Sequence, residues 1–123
     1  MHRVGLILPA GFHVMSYATI ATFDTANFIA GEQFYDISIL SEHGGSVPNS
    51  FGTATETEPL NIKLFDTLLV GAGVALAPPT PKLIAFLREA VTEVRRVASL
   101  CIGTFILAEA GILDGRRVTT HWA

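Results

Sequence analysis

The sequence predicts an α/β fold, a three-layer sandwich whose mostly parallel sheet is covered by helices on both faces. Three observations lead there. Val4 to Leu8, Thr67 to Val70 and Val97 to Leu100 are short apolar runs, as expected of strands buried on both faces. Segments with helical spacing alternate with such runs, the order that builds parallel sheets. Each run also ends in small or turn-forming residues, and in open α/β sheets ligands gather at the carboxyl ends of the strands.

The first strand, Val4 to Leu8, is stopped by Pro9 and Gly11. A helix is expected over Ser16 to Ile29 and a second strand over Tyr35 to Leu40. Gly44-Gly45 opens a turn-rich region reaching Pro59, within which Val47 to Thr57 suits a small hairpin around Gly52. His43 lies in that glycine-rich turn and is expected to be solvated. Asp66 precedes the buried strand Thr67 to Val70, which runs into Gly71-Ala72-Gly73, a loop whose backbone can approach a ligand closely. Thr80 is a suitable N-cap, with Pro81 at the first helical position. Leu83, Ile84, Leu87, Val91 and Val94 then repeat at helical spacing. After the strand Val97 to Leu100, a helix over Thr104 to Ala110 stops near Gly111. Asp114-Gly115 is a turn, and Val118-Thr119-Thr120 reads as the start of a further strand.

The chain has 123 residues, half of them hydrophobic and only 15% charged. That supports one domain with one well-supplied core. The net charge is −3, and no stretch is basic enough to track a nucleic-acid backbone. The only cysteine excludes an internal disulfide. Val4 to Phe23 carries no Asp, Glu, Lys or Arg. Pro9, Gly11, His13, Ser16 and Tyr17 interrupt its apolar character, so a buried strand, loop and helix are expected in place of a membrane span or signal peptide. The chain is accordingly read as soluble and cytoplasmic.

Ser99-Leu100-Cys101-Ile102-Gly103 carries the chemistry. A strand delivers a nucleophile to a spot with small residues two positions before and two after, and a helix follows at once. That is the layout of a nucleophile elbow. Its tight turn tolerates only small flanking side chains, and the free N–H groups of the following helix favour a negatively charged sulfur. A lone cysteine in an apolar run is otherwise buried and inert. The loops Pro9 to Ser16, Gly71 to Val74 and Cys101 to Gly103 are expected to converge on one pocket. His121, twenty residues past the cysteine and just after a strand, is the preferred partner for Cys101, with His13 as the other histidine in a convergent loop. The N–H groups of Gly73 or Val74, with that of Ile102, are placed to form an oxyanion hole. No metal site is expected, because the Cys and His residues lack zinc-ligand spacing, and no cofactor is implied.

The run VASLCIGTFILAEAGILDGRRVTTHWA, Val97 to Ala123, resembles the elbow-to-histidine segment of the ThiJ/PfpI superfamily, whose fold is amidotransferase-like and flavodoxin-like. Within it, Leu107 to Gly115 and Thr119-Thr120-His121-Trp122 are most similar to the N-terminal sensor domains of GlxA-like, AraC-type transcription regulators. The resemblance extends more weakly over Gly5 to Gly11, Ala26-Asn27, the hairpin region and Asp66 to Gly73. It implies that Cys101 is the family's reactive cysteine and His121 the histidine near it. It also implies a homodimer, a small nitrogen-containing metabolite as ligand, and DNA binding only through a helix-turn-helix region downstream. Members continue past the Thr-Thr-His-Trp phrase, so residues 1–123 are expected to form an incomplete domain.

Two departures bear on activity. Catalytic and redox-active members place an acid in the loop after the first strand, where this chain aligns Ser16. The protease-like branch has a histidine directly after the cysteine, where this chain has Ile102. Losing the acid removes the group expected to exchange a proton with the thiol or substrate. The resemblance therefore implies a sensing domain whose pocket is lined by Ser16, Gly73, Cys101, Ile102 and His121. The alternatives are a cysteine-dependent hydratase or hydrolase of small C–N compounds, similar to isonitrile hydratases, and a redox sensor in which Cys101 is oxidised.

Overall fold

A computed structural model describes residues 1–61, 65–73 and 78–120. Its elements run β1 (His2–Ile7), α1 (Ser16–Ala30), β2 (Tyr35–Ser41), β3 (His43–Pro48), β4 (Ala54–Pro59), β5 (Thr67–Val70), α2 (Pro81–Glu93), β6 (Arg96–Ser99) and α3 (Gly103–Glu109). The strands form one sheet in the order β3-β4-β2-β1-β5-β6. All neighbours pair in parallel except β3 with β4. β1 lies at the centre, with Val4 opposite both Ile37 and Thr67 and Ile7 opposite both Leu40 and Val70.

Side-chain alternation along the central strands divides the core between two faces. Val4, Leu6, Leu8 and Leu69 join Phe12 and Val47 in one apolar cluster, with Tyr17, Ile20 and Phe23 of α1 packed against it. Ile7, Leu40, Leu68 and Val70 join Leu83, Leu87 and Ala90 of α2 and Leu107 and Ala110 at α3 in the other. Helices on both faces make the three layers expected. At Gly5 a Cβ would lie 2.7 Å from a Leu68 methyl, so any side chain there would force that buried methyl to shift.

The α2 helix starts as its sequence requires. Thr80 is extended, and its hydroxyl accepts from the Leu83 N–H at 3.2 Å, with Pro81 next to it. At the end of α1, Gly31 adopts φ +71° and its N–H caps the carbonyls of Asn27 and Phe28. Among the described residues no helix is long and apolar enough to cross a membrane.

Two expectations need correcting. Gly44-Gly45 does not open a turn. Both glycines, at φ +75° and +76°, lie inside β3, where cross-strand pairing with β4 overrides the local turn signal. His43 is thus the first residue of a strand, although it is exposed as expected. Val118 to Thr120 form no strand. Their polar groups turn to the elbow instead: the Thr119 carbonyl accepts from the Thr104 hydroxyl at 3.1 Å, and the Thr120 hydroxyl donates to the Cys101 carbonyl at 3.0 Å.

Candidate functional site at the carboxyl ends of the strands

β6 ends at Ser99, and the chain reverses into α3 within three residues. Cys101, at the apex, has φ +52° and is the sole described non-glycine residue with positive φ. A non-glycine side chain in the left-handed region costs of order 1–2 kcal/mol, which the surrounding structure must hold. It is held by the N–H of Leu100 on the Val70 carbonyl at 2.9 Å and that of Gly103 on the Leu100 carbonyl at 2.8 Å. Gly103 is obligatory for contact reasons: a Cβ would lie 2.4 Å from the Val70 carbonyl oxygen. The turn leaves Cys101 exposed and free of any disulfide, so it is not a cysteine sealed in the core.

The three loops meet. The His13 N–H donates to the Ala72 carbonyl at 3.0 Å, Phe12 forms a bridge with Gly73, and the Gly71 N–H donates to the Ile7 carbonyl at 2.9 Å. Phe12, fully buried, fastens the first loop to the core. Ser16 opens α1 and is buried, its N–H on the His13 carbonyl at 2.9 Å. A Cβ on Gly71 would lie 3.4 Å from the Ser16 hydroxyl, which puts Ser16 beneath the β5 loop.

Beside the elbow is an open cleft of about 590 Å³. It is lined by Pro9 and Ala10 of the first loop, Ala72 and Gly73 after β5, Pro78 and Pro79 before α2, and Ile102, Phe105, Ile106, Ala108 and Glu109 along the α3 wall. Of the residues expected to line the pocket, Gly73 and Ile102 do so. Ser16 and Cys101 are not among the lining residues, while His121 and Val74 lie outside the described residues. The α3 wall went unread in the sequence. Phe105, 43% exposed despite its size, belongs to a helix from which no lining residue was read in the sequence. Glu109 is the one ionisable residue among the described lining residues.

The other histidines lie apart from the cleft lining. His13 is exposed, and its Nδ1 accepts from the Met15 N–H at 3.0 Å. His2 Nε2 lies 2.9 Å from the Thr67 hydroxyl at the opposite end of β5. There Asp66 accepts from the Arg3 N–H at 2.8 Å. That hydrogen bond, with His2, the N-terminal amine and Arg3 adding attraction, holds its carboxyl below the usual range against a smaller opposing desolvation.

A polar cluster that sequence reading missed buttresses the first loop. Buried Asn49 donates from Nδ2 to the Tyr17 hydroxyl at 3.1 Å and the Thr53 hydroxyl at 2.6 Å. Its Oδ1 accepts from the N–H groups of Phe51 and Thr53, and Tyr17 also bonds Thr55. Phe12 bridges to Asn49, and the Gly11 N–H donates to the Pro48 carbonyl at 2.8 Å. The hairpin tip thereby fixes the loop that forms one side of the cleft. Locally, Pro48-Asn49-Ser50-Phe51-Gly52 reads only as a turn.

A strand–elbow–helix unit with an exposed cysteine, at the carboxyl end of a mostly parallel sheet, agrees with a further finding: the model of the DJ-1/PfpI family matches residues 26–123. The chain belongs to the DJ-1/PfpI family. Similar DJ-1/PfpI relatives include a Streptomyces lividans protein encoded in the cpoL 5′ region, 37% identical over 98% of this chain and 88% of that one. The HTH-type transcriptional regulator CdhR of Pseudomonas aeruginosa is 37% identical over 95% of this chain, which spans 35% of it. The HTH-type transcriptional regulator GlxA of Rhizobium meliloti is 34% identical over 99% of this chain, which spans 39% of it. The crystal structure of an AraC family transcriptional regulator from Pseudomonas putida superimposes with a TM-score of 0.86 at 25% identity, covering 94% of this chain and 64% of that one.

Proposed function

We propose that this DJ-1/PfpI chain is the small-metabolite-sensing domain of an AraC-type transcriptional regulator. The observation that carries the reading is the cleft of about 590 Å³ beside the elbow, within the size range of small-molecule sites. Its walls offer apolar surface and one carboxylate, Glu109. That is a surface for holding a compact ligand with a positively charged nitrogen. Similarity to two HTH-type regulators over nearly the whole chain supports the same reading. DNA contact belongs to a separate region, in keeping with the chain's net charge of −3. Ligand binding shifts a homodimer between states.

The test is calorimetric titration of the protein with a panel of amino acids and quaternary amines, repeated on Ala10→Trp, which fills the cleft from an exposed position. One or more compounds bind the wild type, and Ala10→Trp abolishes that binding. A panel without binders, or binding that Ala10→Trp leaves intact, rejects the reading. So does an intact reading frame without a helix-turn-helix region.

The exposed Cys101 at φ +52° favours a second reading, a cysteine-dependent hydratase or hydrolase of small C–N compounds. It requires turnover that Cys101→Ser abolishes. Unchanged turnover in that variant rejects it.

A further inference from the structure

Hydroxyl groups tie the elbow to residues 119 and 120 beyond α3, and counting protons shows how. The Thr104 hydroxyl is buried and lies 2.8 Å from the Ser99 hydroxyl, 3.1 Å from the Thr119 carbonyl and 3.3 Å from the Cys101 carbonyl. It has one proton to give. The Thr120 hydroxyl lies 3.0 Å from the Cys101 carbonyl. One assignment satisfies every group: Ser99 donates to Thr104, Thr104 donates to the Thr119 carbonyl, and Thr120 donates to the Cys101 carbonyl.

We propose that Ser99, Thr104 and Thr120 form a hydroxyl latch that holds the Cys101 peptide in its left-handed conformation and seats residues 118–120 on the elbow as one unit. Thr104 and Thr120 are positioning residues, acting on the thiol through the backbone. The Cys101 carbonyl takes the Thr120 proton and lies 3.3 Å from the Thr104 hydroxyl, so both sides close on it. Residues 118–120 are exposed and form no strand, so these bonds are what joins them to β6 and α3 among the described contacts. When the latch opens, Cys101 relaxes toward the right-handed region, its thiol turns out of its presented position, and the 118–120 segment comes free. The segment runs directly into His121, so thiol presentation and the path of the chain beyond α3 change together. The inference does not depend on the identity of any ligand.

The full chain tests it with two readouts. Cys101 is the only thiol, so iodoacetamide consumption reports its presentation. Arg116 and Arg117 are exposed, so tryptic cleavage between Arg117 and Val118, followed by mass spectrometry, reports release of the segment. Thr120→Val, at an exposed position that cannot unfold the core, slows alkylation at least about threefold and speeds cleavage about tenfold. Thr104→Val does the same, and Thr104→Ser restores both rates to within about twofold of wild type. Should Thr104→Val fail to fold, Thr120→Val decides alone. Thr120→Val with either rate unchanged overturns the latch: faster cleavage with unaltered alkylation shows that the segment and the thiol are not coupled. Because neither readout uses a ligand, failure of the sensing reading leaves the outcome intact, and failure of the latch leaves the calorimetric test standing.

Discussion

Replacing Gly103 by alanine isolates the contact that makes the elbow tight. A Cβ there would lie 2.4 Å from the Val70 carbonyl oxygen, 3.3 Å from the Val70 carbonyl carbon and 3.4 Å from the Gly71 carbonyl oxygen; Cβ atoms essentially never approach closer than 3.0 Å. All three neighbours are backbone, so no side chain can swing away. The start of α3 must move from the end of β5 by more than half an ångström. That carbonyl already accepts from the Leu100 N–H at 2.9 Å, so the movement also loosens the bond that sets the turn. Overpacking costs about 1–3 kcal/mol, and a weakened buried hydrogen bond adds about 1 kcal/mol. Gly103→Ala therefore destabilises the domain by about 2–4 kcal/mol, a large share of a typical total of 5–15 kcal/mol. Gly45→Ala is the comparison: φ is +76° but its Cβ would meet nothing within 4 Å, so only backbone strain of about 1 kcal/mol applies. Urea unfolding followed by circular dichroism measures both. If Gly103→Ala costs no more than Gly45→Ala, α3 does not abut the end of β5 and the elbow described above is wrong.

The same denaturation assay checks three further expectations. Leu87→Ala, at a fully buried α2 position between the sheet and α3, costs about 2–4 kcal/mol; a loss below 1 kcal/mol shows that α2 does not seal that face. Asn49→Ala leaves the Tyr17 and Thr53 hydroxyls and two backbone N–H groups without their partner and costs about 2–3 kcal/mol. Hydrogen exchange rises in residues 11–17 as well as at the hairpin tip; acceleration at the tip alone rejects the buttress. Asp66 has a folded-state pKa below its unfolded one, so it adds stability above the unfolded value, and that stability is lost as pH falls below about 4. Asp66→Asn flattens the decline of the urea midpoint between about pH 5 and 3; a decline as steep as in wild type removes Asp66 from the acid response.

Much of the fold was legible in the chain because its signals are local. Val4 to Leu8 and Thr67 to Val70 carry unbroken apolar runs, Thr80-Pro81 carries its own cap, and small residues flank Cys101 on both sides. The hairpin is legible from its turn residues, but the start of its first strand at His43 is not: Gly44-Gly45 carries a turn signal that β4 overrides by pairing across β3. Val118 to Thr120 failed in the other direction. A β-branched trio has the composition of a strand, yet its polar groups are taken by the elbow.

At the candidate site, the sequence by itself determined the position of the lone cysteine and the tight turn that carries it, because both depend on residues within a few positions of one another; the convergence of three loops followed from the rule that loops gather at the carboxyl ends of parallel strands. It also carried the family resemblance. Only the tertiary structure decided that the cleft runs along α3 past Phe105 and Glu109, that Asn49 supports the first loop, and that the hydroxyls of Thr104 and Thr120 tie residues 119 and 120 to the elbow. Those features join segments brought together by sheet order and helix packing, and one chain's periodicity holds no record of which distant side chains will share a face.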